Sequence, residues 1–213
     1  MKESLKETEF LDFKNPEMDA FVEGFKSFQT DKEIAVAVYN KVRDHFLYDP
    51  FHLDLRPEAL KASVILTKKR AWCVEKAIVM AAALRSLGIP SKLGYGIVVN
   101  HVGVEKLLQY LKRPEIVFHG FVAVYLNGNW VKATPAFDPL VCKLAKVELL
   151  NWDGESDAMF QAFHGDKKFM EYKYMYGVFD DVPVDLMNSE MKKYYPHLFE
   201  EDYNTKQFSF FHQ

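Results

Sequence analysis

Cys73 stands immediately before an apolar run, 74–87, that is rich in Ala, Leu and Met and reads as one helix. Gly88 and Pro90 stop that helix, and Arg85 in its last turn suits the negative end of the dipole. A thiol at a helix start meets unpaired backbone N–H groups and positive potential. Both favour the thiolate and are expected to lower its pKa from about 8.5. The same N–H groups could hold a developing oxyanion. Lys68, Lys69 and Arg70 just upstream push in the same direction. Burial in a packed core is nevertheless the ordinary fate of a lone free Cys.

A thiol nucleophile needs a base, and His supplies one because it titrates near neutrality. Among the seven His residues, His119 has the most informative setting. It lies in a strand-like run, 116–126, that is joined to a second run by Asn127-Gly128, the strongest short hairpin signal. A two-residue turn pairs Leu126 with Asn129 and brings His119 opposite Ala136. Thr134 and Asp138 then become the diagonal neighbours of His119 on its own face. A longer turn would shift that register by one, and Pro135 limits ladder bonding. Cys73 as nucleophile, His119 as base and Asp138 as the group orienting His119 form the candidate constellation, with Thr134 the alternative orienting group.

The remaining chemistry-bearing residues give less. Cys142 follows the hairpin and reads as a buried spectator. His45 reads as a partly buried hydrogen-bonding residue, and His52 and His101 as loop residues. His164, His197 and His212 have no metal-ligand spacing with one another or with the cysteines. Neither a metal nor a cofactor is expected.

These groups must be held by a core, and 213 residues, 49% of them hydrophobic, suffice for one. Apolar spacing predicts a short helix near 16–28 and a clearer one from an Asp31 N-cap to about Asp49-Pro50. Pro57 opens a helical turn and residues 63–66 another. Residues 92–100 read as a strand in which Gly94 and Gly96 mark a bulge or a close backbone approach. An inserted helix is expected over 101–114. In the C-terminal third, Phe160, Phe163 and Phe169 suggest a helix over 158–174, and a short helix is expected over 188–195. The predicted organisation is one domain: an N-terminal helical extension (1–30), a core (31–140) and an α-rich extension packed on it (141–213).

The net charge of −3, from 27 basic and 30 acidic residues, gives no basic excess to attract nucleic acid or an anionic membrane. The polar first residues lack a signal-peptide core, and no apolar run approaches the roughly 20 residues of a bilayer span. Two cysteines do not make a disulfide framework. A soluble cytoplasmic protein is expected, with no nucleic-acid or membrane partner. Its oligomeric state is left open.

Four blocks in order carry a resemblance: 39–49 (Tyr-Asn-Lys-Val-Arg-Asp-His-Phe-Leu-Tyr-Asp), 73–77 (Cys-Val-Glu-Lys-Ala), 84–90 (Leu-Arg-Ser-Leu-Gly-Ile-Pro) and 119–130 from His119 to Trp130. Across roughly 31–140 the chain resembles the transglutaminase-like superfamily. That resemblance implies an α+β fold with a papain/transglutaminase-like core, in which the Cys-bearing helix packs on an antiparallel sheet carrying the His and the acid. It also implies acyl chemistry on amides through a thioester on Cys73, ending in hydrolysis, deamidation or transfer to an amine. The substrate would be a peptide, a protein or a small amide. Three positions depart from the family pattern. Ala71 replaces a common Gly, Phe121 replaces a common Trp, and Thr134-Pro135 stands where an Asp-Pro pair usually falls. Asp138-Pro139 follows four residues later. Asp138 then substitutes for the usual acid, or Thr134 orients His119 weakly, or the triad is incomplete. Two alternatives follow: a binding module that kept the fold and lost catalysis, and an arylamine N-acetyltransferase-like enzyme, whose approach to the Cys resembles Arg70, Cys73 and Glu75.

Overall fold

The computed structural model describes residues 2–51, 53–101, 105–160 and 170–199. His52, His164 and His212 lie outside the described residues, as does most of the helix expected over 158–174.

The N-terminal third is helical. Helix α1 spans Pro16–Val22, capped by Asn15, whose side chain accepts from Met18 N–H. A 3₁₀ turn, Glu23–Phe25, extends it. Helix α2 spans Asp31–His45. Its N-cap is Thr30 and not Asp31, because Thr30 and Glu33 form a reciprocal capping box. The helix stops at His45, short of the predicted end. Residues Leu47–Tyr48 form strand β1, which pairs in parallel with β2, Arg70–Ala71. Between them lie the 3₁₀ turn Pro57–Leu60 and helix α3, Ala62–Leu66.

Helix α4, Cys73–Ser86, is the axis of the core, and every residue from Cys73 to Arg85 is buried. It packs on a four-stranded antiparallel sheet of order β5-β4-β3-β6. Those strands are β3 (Ser91–Asn100), β4 (Glu115–Leu126), β5 (Asn129–Ala133) and β6 (Met170–Phe179). Helix α5, Glu105–Leu111, is inserted between β3 and β4, and α6, Pro139–Ala145, follows β5. Helix α7, Val184–Tyr194, packs back on β4. The α+β fold class holds.

The hairpin register is the predicted one, with Leu126 opposite Asn129 and both turn residues, Asn127 and Gly128, at positive φ. The ladder ends at Ala133, which pairs with Val122. Thr134 gives its N–H to Ala158 instead, and Pro135 has none to give. Diagonal pairing on one face therefore does not continue to Asp138.

The C-terminal third departs most from expectation. The stretch predicted to finish a helix at Tyr174 instead begins strand β6, hydrogen-bonded along β3. The 141–213 segment therefore contributes a strand to the sheet as well as helices around it. No described helix is long and apolar enough to cross a membrane.

Burial also places one cation inside. Lys76 is 0% exposed and donates to the carbonyls of Arg43, Phe46 and Ala136. It ties the end of α2 and the segment after β5 to α4.

Candidate functional site

Cys73 is the first residue of α4, as its sequence setting predicts. The helix start is fixed by Glu75, whose carboxylate accepts from Trp72 N–H and pairs with Lys68. Glu75 is thus turned toward the backbone, and Arg70 pairs with Asp49. Both residues invoked for the acetyltransferase alternative have structural partners.

The backbone amides of Gly120, Val74 and Cys73 itself and the hydroxyl of Tyr48 lie near enough to the sulfur to favour the thiolate. Burial outweighs them. Cys73 is 2% exposed, and its pKa is pushed up to about 11. The depressed value expected for a helix-start thiol does not hold, because desolvation of the thiolate costs more than the helix end and its donors return.

Strand β4 reaches the helix through Gly120. A Cβ at that position would lie 3.0 Å from Val74 Cα and 3.1 Å from Cys73 O, so only glycine lets strand and helix meet this closely. The neighbouring residues His119 and Phe121 both lie against the ring of Tyr172. A bulge sets His119 there. Val117 and Phe118 together oppose Ile97, and Phe118 takes a left-handed φ of 61°.

His119 Nδ1 lies 3.2 Å from Tyr172 Oη. Across the ladder Gly96 pairs with His119, and a Cβ there would strike the Tyr172 ring at 2.6 Å. The close backbone approach that the glycines of β3 predict is therefore the berth of an aromatic ring. The Thr134 hydroxyl reaches Met159 Sδ at 3.9 Å and is near enough to Tyr172 to ease its raised pKa downward. His119 is 2% exposed, and burial alone pushes its pKa down to about 4. Between about 4 and about 11 the two groups are therefore a neutral imidazole and a thiol.

The structure does not join Asp138 to His119. Asp138 caps α6, with Oδ1 accepting from Leu140 N–H (2.7 Å) and Val141 N–H (3.2 Å). Its Oδ2 accepts from Tyr48 N–H at 2.6 Å. Three backbone amides occupy the carboxylate, so it acts on Cys73 only at one remove, by fixing the strand that carries Tyr48. Among the hydrogen bonds of the described residues, the ring of His119 has Tyr172 as its partner, and neither Cys73 nor Asp138 bonds it. Cys142 is buried on α6. His197 bonds the Tyr110 carbonyl. No cluster able to hold a metal ion occurs among the described residues.

Beside Cys73 is a cavity of about 20 Å³, room for about one water. Tyr48, Trp72, Leu107 and Leu111 of α5, and Met191 and Tyr195 line it with Cys73. The Trp72 indole N–H is buried without a partner among the described residues. Tyr172 and Trp72 are the site residues that sequence reasoning missed. The alternation of Tyr172, Tyr174 and Tyr176 was the available signal for a strand at Tyr172.

No curated protein matches the chain. A crystal structure of a protein provisionally described as a cysteine protease, from Cytophaga hutchinsonii, is similar to it at 17% identity and a TM-score of 0.49. The similarity covers 64% of this chain and 42% of that one, so the chain spans less than half the length of that protein. The core of the Transglutaminase-like superfamily matches residues 19–135, more than half of the chain, from α1 through the hairpin to Pro135. With the Cys-bearing helix packed on an antiparallel sheet, that match makes the chain a member of the Transglutaminase-like superfamily.

Proposed function

We propose that the protein is a cysteine-dependent amide hydrolase or acyltransferase acting on a peptide, protein or small amide, with Cys73 as nucleophile and His119 as base. The observation that carries this reading is the place of Cys73 as the first residue of α4, where Gly120 of the His-bearing strand meets it. Cys73 Sγ attacks the amide carbonyl carbon, forming the C–S bond as the C–N bond breaks. The thiol proton passes by way of His119 to the departing amine. Water or a second amine then cleaves the thioester and regenerates the thiol. The backbone N–H groups at the helix start and the Trp72 indole N–H, without a partner among the described residues, are suited to the carbonyl oxygen as its charge develops. Catalytic hydrogen bonds are often long in an unliganded enzyme and tighten only in the complex.

A second reading, a binding module without catalysis, is favoured by the diversion of Asp138 to backbone amides. A thiol-reactive amide probe separates the two. Labelling at Cys73, abolished by Cys73→Ala, retained in Cys142→Ala and slowed in His119→Gln, is the result expected of an enzyme. Labelling of Cys73 at the same rate in His119→Gln rejects it.

A further inference from the structure

We propose that Tyr172 is the positioning residue for His119, fixing its orientation and tautomer through the phenol hydroxyl. The inference rests on the thiol–imidazole reading above and deepens it.

Three observations carry it. First, the His119 ring is buried, and a buried imidazole needs a hydrogen-bond partner. Tyr172 Oη, 3.2 Å from Nδ1, is that partner. Second, the berth is built around the phenol. Gly96 leaves space for its ring, and the rings of Phe121 and Phe160 pack on it at 6.1 and 5.1 Å. Third, the contact is made at Nδ1, where Tyr172 Oη is placed to accept from Nδ1–H. A proton on Nδ1 leaves Nε2 bare, and a bare nitrogen is what a base requires. The acidic side chain with the right spacing, Asp138, is held by amides and takes no part.

A phenol orients an imidazole without supplying a negative charge. The ring should therefore be held in one tautomer and yet be hard to protonate. The groups that face it include Tyr172 and, beyond it, Thr134. Cys73 also acts electrostatically on Tyr172.

The test uses the full chain with ¹⁵N-labelled His. The His119 ring signal is assigned by its loss in His119→Gln. The wild type is expected to give the Nδ1–H tautomer, and Tyr172→Phe to move the ring toward Nε2–H. Alkylation of Cys73 by iodoacetamide, located by mass spectrometry, should slow about tenfold in Tyr172→Phe. The double variant Tyr172→Phe/His119→Gln should be no slower than His119→Gln alone. An unchanged tautomer in Tyr172→Phe, or additive effects in the double variant, would overturn the proposal. If Tyr172→Phe does not fold, the wild-type ring decides alone, an Nε2–H tautomer overturning the proposal. The tautomer signal needs no activity, so it stands even if Cys73 proves inert and the enzymatic reading falls.

Discussion

Asp138 and Lys76 illustrate how a polar side chain can be indispensable here without touching the reacting atoms. Replacing Asp138 by Ala removes the α6 cap and the acceptor for Tyr48 N–H. A loss of about 1–3 kcal/mol is expected in urea unfolding, with the His119 ring titration unmoved. A shift in that titration would return Asp138 to the role its sequence position suggested. Burial pushes the Lys76 pKa down to about 7, against the pull of Asp138, while three carbonyls accept from its nitrogen. Lys76→Met should leave those carbonyls unmet and lower stability by about 2–4 kcal/mol, measured the same way. Cys73 and His119 were legible because a thiol before an apolar helix and an imidazole on a hairpin strand are local patterns. Asp138 was misplaced because the face rule holds only while the ladder does, and the ladder stops at Ala133. Tyr172 is not legible in the sequence, because its partner lies far away along the chain and the scattered Phe residues upstream have helical spacing.

Between elements, the consequential contacts are those of β4 with α4 and of α5 with the Cys73 cavity. Gly120→Ala would force a methyl group against the backbone of the first turn of α4. Alkylation of Cys73 should then change in rate with little change in helix content, as read by mass spectrometry and circular dichroism. Leu107 and Leu111 of α5 help close the space beside Cys73. Truncating both to Ala should open that space and speed Cys73 labelling by a bulky reagent more than by iodoacetamide. Equal acceleration of both reagents would count against α5 as a steric cover. The elements themselves were largely readable from periodicity and stop signals, including α4, the hairpin and the turn at Pro57. Strand β6 is not, because the Phe residues of 158–174 have helical spacing while Tyr172, Tyr174 and Tyr176 alternate in strand fashion.

Across the molecule, the buried imidazole ties stability to pH. His119 has a folded pKa of about 4 against an ordinary 6.5. The unfolded chain therefore binds the extra proton first as pH falls. The contribution is fully present above 6.5 and is lost between 6.5 and about 4. The urea midpoint should fall through that window, and His119→Gln should flatten this part of the profile.

The sheet order has a consequence in time. A ribosome delivers β4 and β5 well before β6, although β6 lies against β3 in the finished sheet. A chain still under synthesis can thus hold its sulfur and its imidazole before it has the phenol that sets the imidazole. Competence at Cys73 would be conferred late, on chains already translated past Tyr172, and a half-made copy would have little capacity to modify its surroundings.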